Sequence, residues 1–158
     1  MAKGDEITTK FSVDISDLKK GISEANQQIK LANAEFKAAT AGMDDWASSA
    51  DGIRAKLAQL ESTLDAQKRK YESYAEELRR TEEAYEQNGK RADELRAKMQ
   101  ELADQGVDKT SEEYKKYQNA LEATEREQEK NRTAADKLKI TVLEQQAAVS
   151  RTEAEVAD

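Results

Sequence analysis

Residues 53–102 read IRAKLAQLESTLDAQKRKYESYAEELRRTEEAYEQNGKRADELRAKMQEL. Apolar residues recur at alternating intervals of three and four, which is the heptad pattern of a helix that packs along one seam. Gln67, Thr81 and Asn88 are polar interruptions of this seam. A helix of about 50 residues would be roughly 75 Å long, so it needs partner helices. The large apolar members of the seam are Ile53, Leu57, Leu60, Leu64, Tyr71, Tyr74, Leu78, Tyr85, Leu95, Met99 and Leu102.

The composition favours elongated helices over a compact globule. Of the 158 residues, 37% are charged and 5% are aromatic, and the chain contains no proline. Proline removes a helical hydrogen bond and costs about 3 kcal/mol inside a helix, so its absence suits helices with few interruptions. Low hydrophobicity also fits disorder, but disordered chains lack sustained periodicity, which is the strongest signal in this sequence.

The composition also argues against several kinds of function. The chain has no cysteine and no histidine, so thiolate chemistry and the usual metal ligand are missing. The net charge of −7 argues against direct binding of duplex nucleic acid, which normally needs clustered Lys and Arg. No apolar run approaches the roughly 20 residues of a membrane span, and MAKGDEITT lacks the apolar core of a signal peptide. We therefore expect no enzyme, cofactor, metal site or membrane contact, and assembly in a cytoplasm.

The N-terminal segment, residues 1–13, is predicted to be extended. Ile7, Thr9, Phe11 and Val13 alternate with more polar neighbours, which is typical of a short strand with one buried face. A single strand is not stable alone. The segment therefore pairs with another chain or domain, is ordered by packing, or is disordered in isolation.

A first helix is predicted over residues 14–41, because the period changes at Asp14. Asp14 is the predicted N-cap, and acidic charge in the first turn suits the positive end of the helix dipole. Gly42 follows as a C-cap. Alanines in the seam of this helix would let a partner helix approach closely, and its large apolar residues are Leu18, Ile22, Ile29 and Phe36.

The segment GMDDWASSADG, residues 42–52, separates this helix from a long central helix predicted over residues 48–103. Ser48, with an acidic residue three positions later, forms a near capping box that restarts the helix. Trp46 either anchors a partner or packs over the turn between the helices. Asp44 and Asp45 are predicted to be turn residues, because the rest of a calcium loop is missing.

Asn88 and Gly89 form a dipeptide that often marks a turn. The seam nevertheless passes through them without a change of phase, so a continuous or mildly bent helix is expected. A polar residue on the seam costs stability but fixes register. Asn88 is therefore either a register device or a solvated weak point.

The second break, ADQGVDKTSEEYKKY at residues 103–117, predicts a helical hairpin. Gly106 ends the central helix, and Thr110 with Glu113 forms a capping box for a returning helix over residues 110–157. The seam shifts by one residue across this break, which a tight turn explains better than a continuous rod. The large seam residues of the returning helix are Tyr114, Tyr117, Leu121, Leu138, Val142, Val149 and Val156.

The predicted fold is all-α: a long antiparallel helical hairpin or coiled coil with a shorter N-terminal helix, preceded by the extended segment or a short strand. Folding the chain at its two breaks predicts which residues face each other. The pairs are Leu102 with Tyr114, Leu95 with Leu121 and Asn88 with Gln128 around the second break, and Phe36 with Ile53, Ala32 with Leu57 and Ile29 with Leu60 around the first.

The run SDLKKGISEANQQIKLANAEFKAATAGMDDW, residues 16–46, resembles the N-terminal region of tail tape-measure proteins of long-tailed bacteriophages and prophages. GVDKTSEEYKKYQNALEATERE, residues 106–127, resembles the helix-turn-helix units that recur after it in that family. The resemblance implies a structural virion protein, held extended in the tail tube, whose length sets the tail length.

The resemblance also implies partners and a location. Tail-tube and tail-assembly chaperone proteins are the implied partners, and the seams allow self-association as well. The implied location is the tail lumen of the virion, with the host cytoplasm during assembly. The resemblance further implies that this chain is the N-terminal fragment of a longer protein.

Two other classes of function stay open. Composition alone favours a cellular coiled-coil scaffold or a secretion-associated interaction module. An enzyme could use carboxylates such as Glu76 and Glu77 as acid and base. Exposed glutamates at every helical turn are, however, the normal solvated face of such a helix.

Overall fold

The structure is a computed structural model that describes residues 10–158. It contains helices α1 (Ser16–Thr40), α2 (Ala50–Asp104) and α3 (Glu112–Ala157), with a 3₁₀ turn at Trp46–Ser48. Helix accounts for 87% of the described structure, and these residues include no strand. The all-α prediction is confirmed, and each helix begins and ends within two residues of its predicted limits. Residues 1–9 of the predicted extended segment lie outside the described residues, and residues 10–13 have no regular structure.

The helices form two compact units. Unit 1 consists of the described residues up to Asp14 together with Leu78–Lys137, and unit 2 consists of Ile15–Glu77 and Leu138–Asp158. Helices α2 and α3 contribute to both units.

Unit 1 is an antiparallel hairpin of α2 and α3, as predicted. Arg96 Nη2 lies 3.4 Å from Glu125 Oε2, and Gln128 Nε2 donates to the Tyr85 carbonyl oxygen at 3.4 Å. These cross-helix pairs fall within about one turn of the predicted register. A cluster built on Leu95, Leu102 and Tyr117 fills the hairpin near its turn, and Met99, Val107, Tyr114, Ala120 and Leu121 pack against it.

The hairpin turn begins with a Schellman motif at the end of α2. Gly106 has a φ of +83°, a conformation that glycine adopts without the steric cost that a Cβ imposes. The Val107 N–H donates to the Leu102 carbonyl, and the Gly106 N–H donates to the Ala103 carbonyl, both at 3.0 Å. Val107 also packs on the cluster at Leu102. This combination of bonds and apolar contact defines the motif, so Gly106 ends the helix as predicted.

Unit 2 packs α1 closely against α2 through small residues. The buried hydrophobic residues of this unit are Ala25, Ala32 and Ala66. A Cβ on Gly21 would lie 3.3 Å from Ser73 Oγ, which is tighter than most real contacts. Polar bridges run between the two helices beside the alanines. They join Asn33 to Gln59, Gln28 to Ser62 and Asn26 to Lys70, at 2.8–3.0 Å.

The predicted pairing of Phe36 with Ile53 is wrong. The Trp46 ring stands edge-on to Phe36, with centroids 5.1 Å apart and planes at 88°, and Lys56 Nζ lies 5.0 Å from the Phe36 ring centroid. Trp46 therefore packs over the turn between the helices and takes the place predicted for Ile53. The register moves by about one turn, which leaves Ile53 53% exposed and Leu57 41% exposed.

Tyr85 is the third predicted seam residue that lies in solvent, with 41% exposure. Ala84 is buried in its place, between the buried residues Thr81 and Asn88. Residues 11–14 of the N-terminal segment line the same groove as Ala84. This segment therefore covers α2 on the side of Ala84, while Tyr85 faces solvent.

The other predicted seam residues lie at least partly out of solvent. Leu95, Leu102 and Tyr117 are buried. The half-buried members are Leu18, Ile22, Ile29, Phe36, Leu60, Leu64, Tyr71, Tyr74, Leu78, Met99, Tyr114, Leu121, Leu138, Val142, Val149 and Val156.

The structure places all three N-caps one residue after their predicted positions. Helix α1 has Ile15 rather than Asp14 at its N-cap position, with no side-chain cap bond. At α2, Ser49 Oγ accepts the Gly52 N–H at 3.3 Å, whereas Ser48 Oγ donates to Asp45 Oδ2 at 2.7 Å. Ser48 lies in the 3₁₀ turn, and this turn delays the start of α2.

The same one-residue displacement occurs at α3. Ser111 Oγ accepts the Tyr114 N–H at 3.3 Å and is the cap. Thr110 instead donates both its N–H and its hydroxyl to Asp108 Oδ1, each at 2.8 Å. Asp108 therefore stabilises the turn before the helix. Because Thr110 bonds to the Asp108 side chain, it does not form the predicted capping box.

Candidate interaction site

Asn88 carries a polar side chain in the middle of a long helix, yet it is 0% exposed. Its Oδ1 accepts the Phe11 N–H at 2.8 Å, and its Nδ2 donates to the Phe11 carbonyl at 2.8 Å. The side-chain amide therefore binds one backbone residue through two bonds, as a neighbouring strand would. A buried amide needs such partners, because an unpaired one carries the full cost of desolvation.

We call residues 10–14, which include this contact, the strap. The strap also reaches the other helix of the hairpin, since Lys10 Nζ lies 4.0 Å from Glu127 Oε2. The Glu127 side chain is only 14% exposed, whereas that of Lys10 is 45% exposed. The strap thus contacts α2 through Asn88 and α3 through Glu127.

An open groove lies between the strap and the neighbouring turns of α2. Both apolar and charged side chains line it. Pockets for small molecules are typically enclosed and lined mostly by apolar side chains, and this groove has neither property. The residues on its walls are Phe11, Ser12, Val13 and Asp14 from the strap, and Arg80, Glu83, Ala84 and Gln87 from α2.

Gly89 has a separate role from Asn88. A Cβ on Gly89 would lie 2.9 Å from Gln128 Nε2, the same atom that donates to the Tyr85 carbonyl. The missing side chain therefore lets Gln128 reach across to α2. Gln128 thus lies beside Gly89, one residue from its predicted place opposite Asn88. It bonds to the α2 backbone, whereas the Asn88 amide bonds to the strap.

Buried polar atoms without hydrogen-bond partners occur within about one helical turn of the strap contacts. Arg91 binds Glu94 through Nη1 at 3.1 Å, but its Nε and Nη2 are buried and make no hydrogen bond. Asn131 Nδ2 is likewise buried and makes no hydrogen bond. Each such group weakens packing by its desolvation cost. The packing of the hairpin is therefore less stable in this layer than at the cluster of Leu95, Leu102 and Tyr117.

Glu76 and Glu77, the carboxylates considered for acid–base chemistry, lie on different sides of α2. Glu76 is exposed, whereas Glu77 is 3% exposed. The expectation that both belong to the solvated face is therefore wrong for Glu77. Successive residues of a helix point about 100° apart, so the two carboxylates do not converge on one site.

The described residues contain neither of two other kinds of site. Within residues 10–158, no group of three or more acidic side chains is arranged to hold a metal ion. No helix in this part of the chain has the length and apolar character needed to cross a membrane.

In unit 2, Gln28 is the centre of a small polar network between α1 and α2. Its Nε2 donates to the Ser62 carbonyl at 2.9 Å and to Asp65 Oδ2 at 3.1 Å, while its Oε1 accepts from Arg69. Arg69 also binds Asp65 at 2.7 Å. The hydrogen bond from Gln28 and the charge of Arg69 lower the pKa of Asp65 below 3.8.

Acid is therefore expected to weaken unit 2 through Asp65. Because the folded-state pKa is lowered, the stabilisation is fully present above the ordinary pKa and is lost as the pH falls through the folded-state value. Asp65→Asn should reduce the drop in melting temperature between about pH 6 and about pH 2.5. Trp46 fluorescence reports this unfolding. Asp44→Asn, at an exposed loop position, is the control and should retain the wild-type drop; an equal reduction in both variants would contradict the assignment.

Comparisons with known protein families, with curated proteins and with solved structures find no match for this chain.

Asn88 stands out in the sequence as a polar residue on the seam, but no spacing indicates the strap as its hydrogen-bond partner. Phe11 is marked in the sequence only as a member of an alternating apolar pattern. One signal for their pairing is present in the sequence. An extended segment and an amide on a buried seam each need hydrogen bonds, and each can provide them to the other. Glu127 carried no signal, because it resembles every other glutamate on the helix surface.

Proposed function

We propose that this chain is the N-terminal part of a phage tail tape-measure protein, a structural protein that sets tail length and scaffolds assembly of the tail tube. The observation that carries the proposal is the run at residues 16–46, which resembles that family. In the structure this run comprises α1 and the loop up to Trp46. The second resembling run, at residues 106–127, contributes to the α2–α3 turn and the first part of α3.

The helical architecture supports such a role on physical grounds. An α-helix rises about 1.5 Å per residue and satisfies its own backbone, so chain length translates directly into distance. Helices α2 and α3 have no proline and continue for 55 and 46 residues. The hairpin of unit 1 shortens such a ruler. The segment therefore either opens inside a tail or acts as a folded head before the ruler begins.

In this role the chain would contact tail-tube and assembly-chaperone proteins. It would lie in the tail lumen of the virion after assembly in the host cytoplasm. Its action would be mechanical and would require no catalytic group, cofactor or metal.

Tail length tests both the proposal and the state of the hairpin. Deleting residues 94–100 and 115–121 from the full-length phage protein removes one heptad from each arm of the hairpin and keeps the register. If the segment is extended in the tail, the tail should shorten by about 21 Å, and duplicating the same heptads should lengthen it by about 21 Å. Electron microscopy of purified virions measures both changes.

Charge-neutralised variants of unchanged length provide the control. Glu94→Gln together with Glu122→Gln should leave the tail length unaltered. Equal tail lengths in the deletion and duplication variants would identify a folded head. Mass spectrometry of purified virions decides the broader proposal, because absence of this chain from tails would contradict a structural virion role.

A cellular coiled-coil scaffold or secretion-associated interaction module is the second candidate. The observation that favours it is the surface of unit 2, where large apolar residues are exposed in the isolated chain. Ile53 and Leu57 are four positions apart on α2, and Ile140 and Leu143 are three apart on α3, so each pair shares one helix face. A contiguous exposed apolar surface often marks a protein interaction site. Tail-tube and chaperone genes beside the coding gene would favour the phage role, and secretion genes would favour this one. The residues concerned are Ile15, Leu31, Ile53, Leu57, Ile140 and Leu143.

A further inference from the structure

We propose that Asn88 and Glu127 form a binding site for an extended polypeptide backbone, that the strap is its resident ligand, and that strap binding keeps the α2–α3 hairpin of unit 1 closed. The proposal depends only on contacts within unit 1. It does not require the phage role proposed above.

The site recognises backbone more than side chain. Both bonds from Asn88 go to the N–H and the carbonyl of Phe11, at 2.8 Å each, and the Asn88 side chain is fully buried. The Phe11 side chain contributes less, because the residue remains 38% exposed. A basic residue immediately before the recognised position adds an ion pair with Glu127. The ligand class is thus an extended segment with a lysine before the bound residue.

Strap binding links the two arms of the hairpin. Asn88 lies on α2 and Glu127 on α3, so the strap holds both helices at once. Without the strap, the Asn88 amide and the nearly buried Glu127 carboxylate would lose these partners. Arg91 and Asn131 already have unsatisfied buried donors one turn away. Water would then have to enter this layer, which favours separation of the helices here.

The Leu95–Leu102–Tyr117 cluster lies nearer the turn and does not involve the strap. It would keep the arms joined at that end. We therefore expect strap release to open the hairpin from the layer of Asn88, with the turn as the hinge.

A pair of substitutions at one position separates backbone from side-chain recognition. Phe11→Pro removes the N–H that Asn88 Oδ1 accepts, whereas Phe11→Ala removes the ring and keeps the N–H. Position 11 lies outside the helices, so neither change interrupts one. Nuclear magnetic resonance of the full chain measures hydrogen exchange of the Asn88 side-chain amide. We expect exchange at least about tenfold faster in Phe11→Pro and within about twofold of wild type in Phe11→Ala.

The reciprocal variant is Asn88→Leu, which replaces the amide with an apolar side chain suited to the seam. The Phe11 amide should then exchange at least about tenfold faster, while far-ultraviolet circular dichroism stays near the wild-type value. Equal acceleration in Phe11→Ala and Phe11→Pro, or unchanged exchange of Phe11 in Asn88→Leu, would overturn backbone recognition.

Spin labels at Glu86 and Lys130, both exposed residues near the strap layer, test closure of the hairpin. Labelled chains are diluted into unlabelled ones, so that only distances within one chain count. Wild type and Phe11→Ala should give one short distance, since packed helix axes lie about 8–10 Å apart. Phe11→Pro should add a longer and broader component. If the distance distribution of Phe11→Pro is identical to that of wild type, the strap does not hold the hairpin closed.

Rescue in trans tests whether the site binds an extended segment as such. The peptide ITTKFSVD, which matches residues 7–14, is added to the full-length Phe11→Pro chain. It should restore slow exchange of the Asn88 amide, whereas the peptide carrying the same Phe11→Pro change should not. Lack of restoration by the first peptide at saturating millimolar concentration, or equal restoration by both, would overturn the assignment of a peptide-binding site.

Discussion

Leu95→Ala is expected to lower the free energy of unfolding by about 3 kcal/mol. Leu95 is 1% exposed and forms the centre of the apolar cluster in unit 1. Truncation removes buried methyl groups and leaves a cavity that the neighbouring residues only partly fill. Urea denaturation of the full chain, followed by circular dichroism, measures the change.

The matched control is the same substitution at Leu143, which is 64% exposed on α3. Leu143→Ala should change the free energy of unfolding by no more than about 0.5 kcal/mol. Similar losses in the two variants would contradict the assignment of the unit 1 core.

Gly52→Ala is expected to destabilise unit 2 by about 2 kcal/mol, although alanine is the better helix former. Gly52 lies in the first turn of α2, where the change would normally gain about 1 kcal/mol. A Cβ there would lie 2.2 Å from the Trp46 carbonyl oxygen, so the backbone of the 3₁₀ turn would have to move. Overpacking of this kind costs about 1–3 kcal/mol, or more when backbone is displaced.

Gly42→Ala provides the contrast in the same loop. A Cβ at Gly42 meets nothing within 4 Å, and Gly42 does not adopt a positive φ. Alanine should therefore be neutral or stabilising by up to about 0.5–1 kcal/mol, because it restricts the unfolded chain. The fluorescence of Trp46, the single tryptophan, follows the unfolding of unit 2 in both variants. Equal midpoints for the two variants would refute the proposed close contact.

The two units differ in how their apolar residues are used. Unit 1 buries large side chains at Leu95, Leu102 and Tyr117, whereas the buried hydrophobic residues of unit 2 are alanines. Helices that meet through alanine approach closely but remove little apolar surface from water. Gln28 adds hydrogen bonds beside the alanines of unit 2. Truncation of a buried apolar residue is therefore expected to cost more stability in unit 1 than in unit 2.

The polar layer around Asn88 gives unit 1 a boundary between a firmly packed end and a weaker one. The strap satisfies Asn88 and pairs with Glu127, but buried donors of Arg91 and Asn131 remain unsatisfied nearby. A hairpin with such a layer can open there at lower cost than at its apolar cluster. Opening of the hairpin is therefore expected to begin at this layer.

The sequence by itself determined the helices, the breaks between them and the hairpin. Heptad spacing and the absence of proline specify long helices locally, because each helical residue bonds within its own segment. Gly106 specified the turn, since its positive φ suits glycine. The register around that turn also followed, because a short connection leaves few ways to pair the arms.

Only the tertiary structure decided where the less regular parts of the chain pack. Trp46 moved the register of α1 and excluded Ile53, because ring packing depends on a loop whose path no periodic pattern encodes. The N-caps moved by one residue at Ser49 and Ser111, since neighbouring hydroxyls compete for the same role. The strap contact joins Phe11 to Asn88 across 77 positions of the chain, and hydrogen bonding of a buried amide over that separation depends on spatial proximity that local spacing cannot specify.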